Sequence, residues 1–136
     1  MFPEKKRPVR FDKPTVFVTG RVHPGETPAS YAMEGVIKFL LDEKDVRAML
    51  LRKMFVFMIV PMINVDGVMN GHFRMDALGK NLNRFYQSPS PTDQPAIFSI
   101  KTLISYLSAN NRLAFYFDLH AHNSKKGSFI YGNAFQ

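Results

Sequence analysis

The spacing of hydrophobic positions along the chain follows two patterns. Short apolar runs rich in β-branched and aromatic residues predict buried strands. These runs occupy residues 15–20, 54–63 and 113–120. Segments with apolar residues three or four apart predict helices. These segments occupy residues 29–41, 45–53 and 95–110. Because strands alternate with helices, the pattern predicts a single α/β domain over residues 1–136.

Proline, glycine and short polar residues predict where the helices and strands begin and end. Pro61 marks the end of the second strand, while Thr27 and Pro28 suit the N-cap and first residue of the first helix. Residues 64–95 are rich in Gly, Asn, Ser and Pro, and an irregular segment of that length in a compact domain is usually functional or disordered. The polar motifs of this segment favour a functional role over disorder. A further strand is predicted to begin in FIYG, at 129–132.

Composition limits the classes of function. The chain has 136 residues, of which 46% are hydrophobic, and this length suits one domain. A net charge of +7 favours acidic partners, although the same charge also serves solubility. The absence of cysteine excludes disulfides, a thiol nucleophile and Cys-ligated zinc. The basic N-terminus lacks the apolar region of a secretory signal and no run reaches membrane-spanning length, so a cytoplasmic location without membrane association is expected.

The stretch HPGE places His23 and Glu26 three residues apart, between the first predicted strand and helix. Pro24 and Gly25 disfavour a helix interior, so the pair belongs to a turn. A turn at the carboxyl end of a strand is where open α/β sheets hold ligands. A His followed three residues later by Glu would arise by chance in a chain with four His about a quarter of the time, so the pair alone decides nothing.

His120 repeats this arrangement at the end of the third predicted strand, and His122 follows it. If the two strands are parallel neighbours, His120 meets His23 and Glu26 at one sheet edge. Two His and one Glu, with an open position for water, is a ligand set of catalytic zinc. The alternative is that His120 is a structural histidine at a strand end.

The irregular segment between these strand ends supplies Arg74, Asn83 and Arg84. Guanidinium groups bind carboxylates in a bidentate manner, so these residues beside a metal would suit a substrate with a free carboxylate. A solvated Asn/Arg turn is the simpler alternative.

These motifs together resemble a known family. HPGE, NVDGV, NLNR and DLHAHNSKK, followed by FIYGN, are similar to the zinc metallocarboxypeptidases, specifically the cytosolic carboxypeptidase branch that removes glutamate from tubulin and other acidic tails. The resemblance implies an incomplete zinc-carboxypeptidase-like fold, with a mixed sheet flanked by helices. It also assigns zinc binding to His23, Glu26 and His120. Substrate-carboxylate recognition falls to Arg74, Asn83 and Arg84, and Arg74 would also polarise the scissile carbonyl. HPGETPAS and PAIFSIKTLISYL resemble the subfamily that removes branch-point glutamates.

The chain also departs from the family pattern. Val65 replaces a common proline, Ala121 a glycine, and Asn81 a common aspartate that would support the first ligand. The family's general base is a glutamate well downstream of the third ligand, and no glutamate follows His120. The resemblance therefore covers the N-terminal part of a catalytic domain, and little hydrolysis by this chain is expected. Asp118, which shares a strand face with His120, is the one fallback base, although a supporting role suits it better.

Two other functions remain open from the sequence. An N-acyl amino acid deacylase of the same fold also has a His-x-x-Glu pair and an Asn-Arg loop, although HPGE and HAHNSKK favour the carboxypeptidase. A basic nucleic-acid-binding module would fit the charge. Its basic residues are scattered without interleaved aromatic residues, which argues against nucleic acid. Lys125 and Lys126 could attract an acidic tail or simply form a solvated turn.

Overall fold

The structure, a computed structural model, describes residues 12–133 as alternating strands and helices. Its strands are β1 (Thr15–Gly20), β2 (Val56–Val60) and β3 (Leu113–Leu119). Its helices are α1 (Thr27–Leu41), α2 (Val46–Met54), α3 (Val65–Met69) and α4 (Pro95–Ala109), with a 3-10 turn at Leu82–Arg84. All three strands and the three longer helices were predicted from the spacing of apolar residues.

The three strands form one parallel sheet in the order β2-β1-β3. The predicted α/β fold is therefore confirmed, with helices packed against the sheet. Among residues 12–133 every strand pairing is parallel, so the antiparallel pairing of a mixed sheet does not occur in this part of the chain. Parallel neighbours bring the carboxyl ends of β1 and β3 to the same edge, where Gly20 pairs with Leu119.

The core lies on both faces of the central strand, all of whose residues are buried. Phe17 packs with Ile97 and Ile100 of α4 on one face, while Val16 and Val18 pack with Met33 of α1 on the other. Alternate residues of a strand point to opposite faces, and a central parallel strand is therefore apolar throughout. Burying a side chain such as Phe17 contributes roughly 1.5–3 kcal/mol.

The N-cap of α1 differs from the predicted one. Thr27 is the first helical residue, and Glu26 occupies the N-cap position without a side-chain capping hydrogen bond. The Glu26 carboxylate instead accepts a hydrogen bond from the backbone N–H of Ala121, which follows β3. A side chain engaged across the sheet edge cannot also cap its own helix.

The other end of α1 is fixed by a side chain from α2. The Arg52 guanidinium donates to the carbonyl oxygens of Leu40 and Asp42. The last carbonyls of a helix have no partner within the helix, so this contact satisfies them and joins α1 to α2. Asp45 begins α2 as its N-cap, accepting from the N–H of Arg47.

Two further expectations differ from the structure. The segment 64–95 is not wholly irregular, because it contains α3 and the 3-10 turn. The strand predicted at 129–132 is wrong: the residues are exposed and unpaired, because no described strand lies beside them to form a ladder.

The basic N-terminus, including Glu4, lies outside the described residues. Within residues 12–133 no helix has both the length and the apolar character to span a membrane.

Candidate metal centre

The ends of β1 and β3 place the two candidate histidines beside each other. His23 lies three residues beyond β1 and His120 directly follows β3. The ring centroids of His23 and His120 are 5.1 Å apart. The predicted convergence of the two strand ends therefore occurs, because the strands are parallel neighbours.

Glu26 lies between these histidines and contacts both. Its Oε1 atom is 2.7 Å from Nδ1 of His23, and its Oε2 atom is 3.0 Å from Nδ1 of His120. The N–H of Ala121 donates to the same Oε2 atom at 2.9 Å, which fixes the carboxylate against the end of β3. One potential ligand atom from each of His23, Glu26 and His120 lies within 4.8 Å of the others. His23 is buried and His120 is exposed.

The chemistry of this group fits a metal ion. Imidazole nitrogen and carboxylate oxygen are both zinc ligands, and three protein ligands with an open position is the arrangement of catalytic zinc. Each histidine turns Nδ1 towards Glu26 and Nε2 towards another side chain: Asn81 for His23, at 3.1 Å, and Asp118 for His120, at 2.9 Å. Ligating histidines generally donate their second ring N–H to such partners, which fixes the ring orientation.

The two histidines have different electrostatic surroundings. Burial lowers the pKa of His23, and this effect outweighs the raising influence of Glu26. The hydrogen bond to Asp118 raises the pKa of His120, against the lowering effect of burial. A metal binds the unprotonated nitrogen, so the buried His23 is the more readily available ligand.

The loop that carries His23 and Glu26 is held by residues that sequence reasoning missed. Arg21 follows β1 with a left-handed φ of 60°, and its side chain donates to the carbonyl of Pro24 at 2.8 Å and to the hydroxyl of Ser30 at 2.6 Å. The buried Asn64 side chain donates to the carbonyl of Val22. These contacts hold the loop from both sides. The sequence shows the residue types but no sign of their long-range partners.

Of the three predicted substrate-binding residues, the structure brings Arg74 to the candidate metal ligands. Its guanidinium lies 3.8 Å from Oε1 of Glu26. Asn83 and Arg84 lie on the 3-10 turn, where the N–H of Asn83 donates to Oδ1 of Asn81. Arg84 is exposed, and in the described part of the chain no hydrogen bond or ion pair joins it to the three candidate ligands.

Arg74 is positioned through a close backbone contact at Gly25. The N–H of Gly25 donates to the carbonyl of Phe73 at 2.7 Å. A Cβ atom at position 25 would lie 2.7 Å from that same carbonyl oxygen, closer than backbone atoms tolerate. Glycine is therefore required here by the approach of the segment that carries Arg74.

We expect Gly25→Ala to lower the free energy of unfolding by about 1–3 kcal/mol, because the Phe73 backbone must move to make room. Gly35→Ala is the matched control. Nothing lies within 4 Å of a Cβ at Gly35 in the middle of α1, and alanine there should raise stability by roughly 0.5–1 kcal/mol. Urea denaturation of both variants measures the difference. Equal stability of Gly25→Ala and wild type would contradict the close contact.

Comparison with known proteins finds cytosolic carboxypeptidases among the relatives by sequence. Cytosolic carboxypeptidase 6 of Caenorhabditis elegans is 45% identical over 123 residues, which cover 89% of this chain and 27% of that protein. Cytosolic carboxypeptidase-like protein 5 of Danio rerio is 50% identical over 101 residues, covering 74% of this chain and 11% of that protein. The chain thus spans about a quarter or less of the length of these relatives.

Solved structures agree with the sequence relatives. A putative carboxypeptidase A from Shewanella denitrificans superposes with a TM-score of 0.75 and 32% identity, over 85% of this chain and 30% of that one. A metallo-carboxypeptidase from Pseudomonas aeruginosa, in complex with (2-guanidinoethylmercapto)succinic acid, has a TM-score of 0.69 and 28% identity, over 80% of this chain and 28% of that one. The sequence pattern of the zinc carboxypeptidase family matches residues 4–134, and the chain belongs to that family.

Proposed function

We propose that this chain carries the zinc-binding and carboxylate-binding part of a metallocarboxypeptidase site that acts on acidic C-terminal tails. The observation that carries the proposal is the contact of one carboxylate, Glu26, with His23, His120 and the Arg74 guanidinium. This arrangement places a cationic, bidentate donor beside a candidate ligand set. A site that cleaves the last peptide bond of a substrate needs both kinds of group: metal ligands beside that bond and a cation for the terminal carboxylate.

The three ligand residues would hold zinc, the metal of the family. Bound zinc would supply Lewis-acid polarisation of a carbonyl and a lowered pKa for a coordinated water. Glu26 is kept in place by the N–H of Ala121, and each histidine is kept in place by a hydrogen bond through Nε2. Arg74 would stabilise negative charge developing on the scissile carbonyl oxygen.

The same arginine, with Asn83 and Arg84, would bind the terminal carboxylate of the substrate. This proposal rests on guanidinium chemistry and on the family resemblance. Arg84 is exposed, so a ligand can reach it. A net charge of +7 favours acidic substrates. Lys125, whose Nζ atom lies 4.8 Å from the ring centroids of Phe129 and Tyr131, would add a cation for an acidic tail. Glutamate-rich tails such as those of tubulin, in the cytoplasm, are the proposed substrates.

Binding to a free carboxyl terminus tests this proposal directly. The zinc-loaded chain should bind a glutamate-ended peptide at least about tenfold more tightly than its C-terminal amide, because a hydrogen bond to a charged group contributes about 1.5–3 kcal/mol. Arg74→Lys should reduce the preference, since lysine keeps the charge but loses the planar fork. Calorimetry measures both affinities.

Arg47→Lys is the control for this experiment. Arg47 is an exposed arginine on α2 paired with Asp45, so the same substitution there should leave peptide binding unchanged. Equal affinity for the acid and the amide would contradict carboxylate recognition. Tight binding of an N-acyl amino acid, without binding of longer peptides, would instead support a deacylase.

A further inference from the structure

Asp118 holds the imidazole of His120 from the side opposite its candidate ligand atom. Its Oδ2 atom lies 2.9 Å from Nε2 of His120, while Nδ1 of that ring lies 3.0 Å from Glu26. The two residues are two apart at the end of β3, so their side chains leave the strand on the same face. Asp118 therefore contacts the ring without approaching the ligand side.

The other oxygen of Asp118 is fixed by a residue of the central strand. Thr19 is fully buried on β1 and is the direct register partner of Asp118 on β3. Its hydroxyl donates to Oδ1 of Asp118 at 2.8 Å. An ionised carboxylate only accepts hydrogen bonds, so one oxygen is tied to the sheet and the other to the His120 ring.

Tyr116 completes this connection. Its hydroxyl lies 3.0 Å from Oγ1 of Thr19. Thr19 has a single hydroxyl proton, which it donates to Asp118, so Thr19 is the acceptor in the second contact. The Tyr116 hydroxyl supplies the proton for that contact and also lies within reach of the hydroxyl of Tyr86, 3.4 Å away. Burial raises the pKa of Tyr116, and the nearby Asp118 charge adds to the effect, so the hydroxyl keeps its proton. Hydrogen bonds thus run from Tyr116 through Thr19 and Asp118 to His120.

The two histidines depend on such support to different degrees. His23 is only 2% exposed, so packing around it restricts its ring, and its partner Asn81 is a neutral amide. The His120 side chain is 32% exposed and lacks this packing. Its orientation must come from hydrogen bonds. We propose that Thr19 and Asp118 form a positioning pair that fixes the His120 ring for metal binding, an inference that rests on the zinc site proposed above.

Zinc affinity tests the pair separately from stability. Loss of a supporting partner typically weakens metal binding about 10–100-fold, and this is the expected result for Asp118→Asn. Thr19→Val removes only the buried hydroxyl and should weaken zinc binding about tenfold, whereas Thr19→Ser keeps the hydroxyl and should restore near wild-type affinity. Competition with a chromophoric chelator at fixed pH gives the dissociation constants, and thermal unfolding of the zinc-free chain reports stability.

Thr15→Val is the matched control. Thr15 is also buried on β1, but it lies at the end of the strand away from the candidate ligands. The Thr15→Val variant should leave zinc affinity unchanged, whatever its effect on stability. If Thr19→Val lowers stability but binds zinc like Thr15→Val, the role is structural and the inference is overturned. If Asp118→Asn fails to fold, the comparison of Thr19→Val with Thr19→Ser decides the question. Retention of zinc by His120→Ala would instead overturn the zinc site itself.

Discussion

Replacing His23 with alanine is expected to remove nearly all zinc from the purified chain, and His120→Ala should do the same. Each variant would lose one of the three proposed protein ligands. Because removal of a residue that merely supports a ligand already weakens metal binding about 10–100-fold, loss of a ligand should weaken it by more than about 100-fold. Metal analysis after dialysis against a weak chelator measures the zinc retained per chain.

His122→Ala is the control for this experiment. His122 is also a histidine near the end of β3, but its Nδ1 atom lies 3.3 Å from the backbone N–H groups of Ser124 and Lys125, and its ring packs edge-on against Phe129. It does not belong to the group of possible metal ligands found in the described residues. His122→Ala should therefore retain zinc. Equal zinc content in His120→Ala and wild type would contradict the assignment of the third ligand.

The convergence of the candidate ligands could be predicted from the sequence because it depends on regular features. A buried strand is recognisable as an apolar run, and parallel strands place their carboxyl ends at one edge. His23 and His120 each follow such a run, so their approach needs only the adjacency of β1 and β3. Sequence reasoning could assume this adjacency but not establish it, since the two strands are separated by about ninety residues of chain.

The supporting contacts could not be predicted in the same way. Thr19 and Asp118 look like an ordinary strand threonine and a strand-end aspartate until the register of β1 and β3 places them opposite each other. Arg21 likewise resembles a surface residue, although its side chain holds the loop of Pro24. Register and side-chain direction depend on tertiary packing, which local patterns do not contain.

The strand predicted at 129–132 failed for a related physical reason. Its consecutive β-branched and aromatic residues suit a strand, but a strand also needs a neighbour to accept and donate its backbone hydrogen bonds. Phe129 and Tyr131 instead pack against each other with ring centroids 5.3 Å apart. A local pattern can predict the tendency to form a strand, but the presence of a partner decides the outcome.

The positions of the carboxylates around the candidate metal centre predict the second large effect, on catalysis. A general base contributes roughly 10²–10⁴-fold and must lie within hydrogen-bond reach of the attacking water. Among residues 12–133, the carboxylates in contact with the two candidate histidine ligands are those of Glu26 and Asp118. Glu26 is itself a candidate ligand, and Asp118 lies on the Nε2 side of His120, away from the ligand atoms. Asp118 is therefore poorly placed to serve as the fallback base.

The remaining glutamates offer no better candidate. Glu34 is on the exposed side of α1, paired with Lys38 at 2.6 Å, and Glu43 is exposed between α1 and α2. Glu4 lies outside the described residues. Even with zinc bound and the peptide carboxylate held by Arg74, no glutamate of residues 12–133 would be positioned as a base for the water. This chain should therefore bind the peptide but hydrolyse it slowly.

We accordingly expect the zinc-loaded chain of 136 residues to bind a glutamate-ended peptide yet release glutamate about 10²–10⁴-fold more slowly than an enzyme with a positioned general base. Amino acid analysis of the released glutamate measures the rate, with the Mus musculus protein named cytosolic carboxypeptidase 6, 43% identical over 127 residues, as the comparator. His23→Ala controls for contaminating peptidases. Release at a rate similar to the comparator, and lost in His23→Ala, would show that a base within this chain serves the reaction. Asp118→Asn would then distinguish Asp118 from every other carboxylate, because hydrolysis would fall far more than zinc affinity if Asp118 were that base.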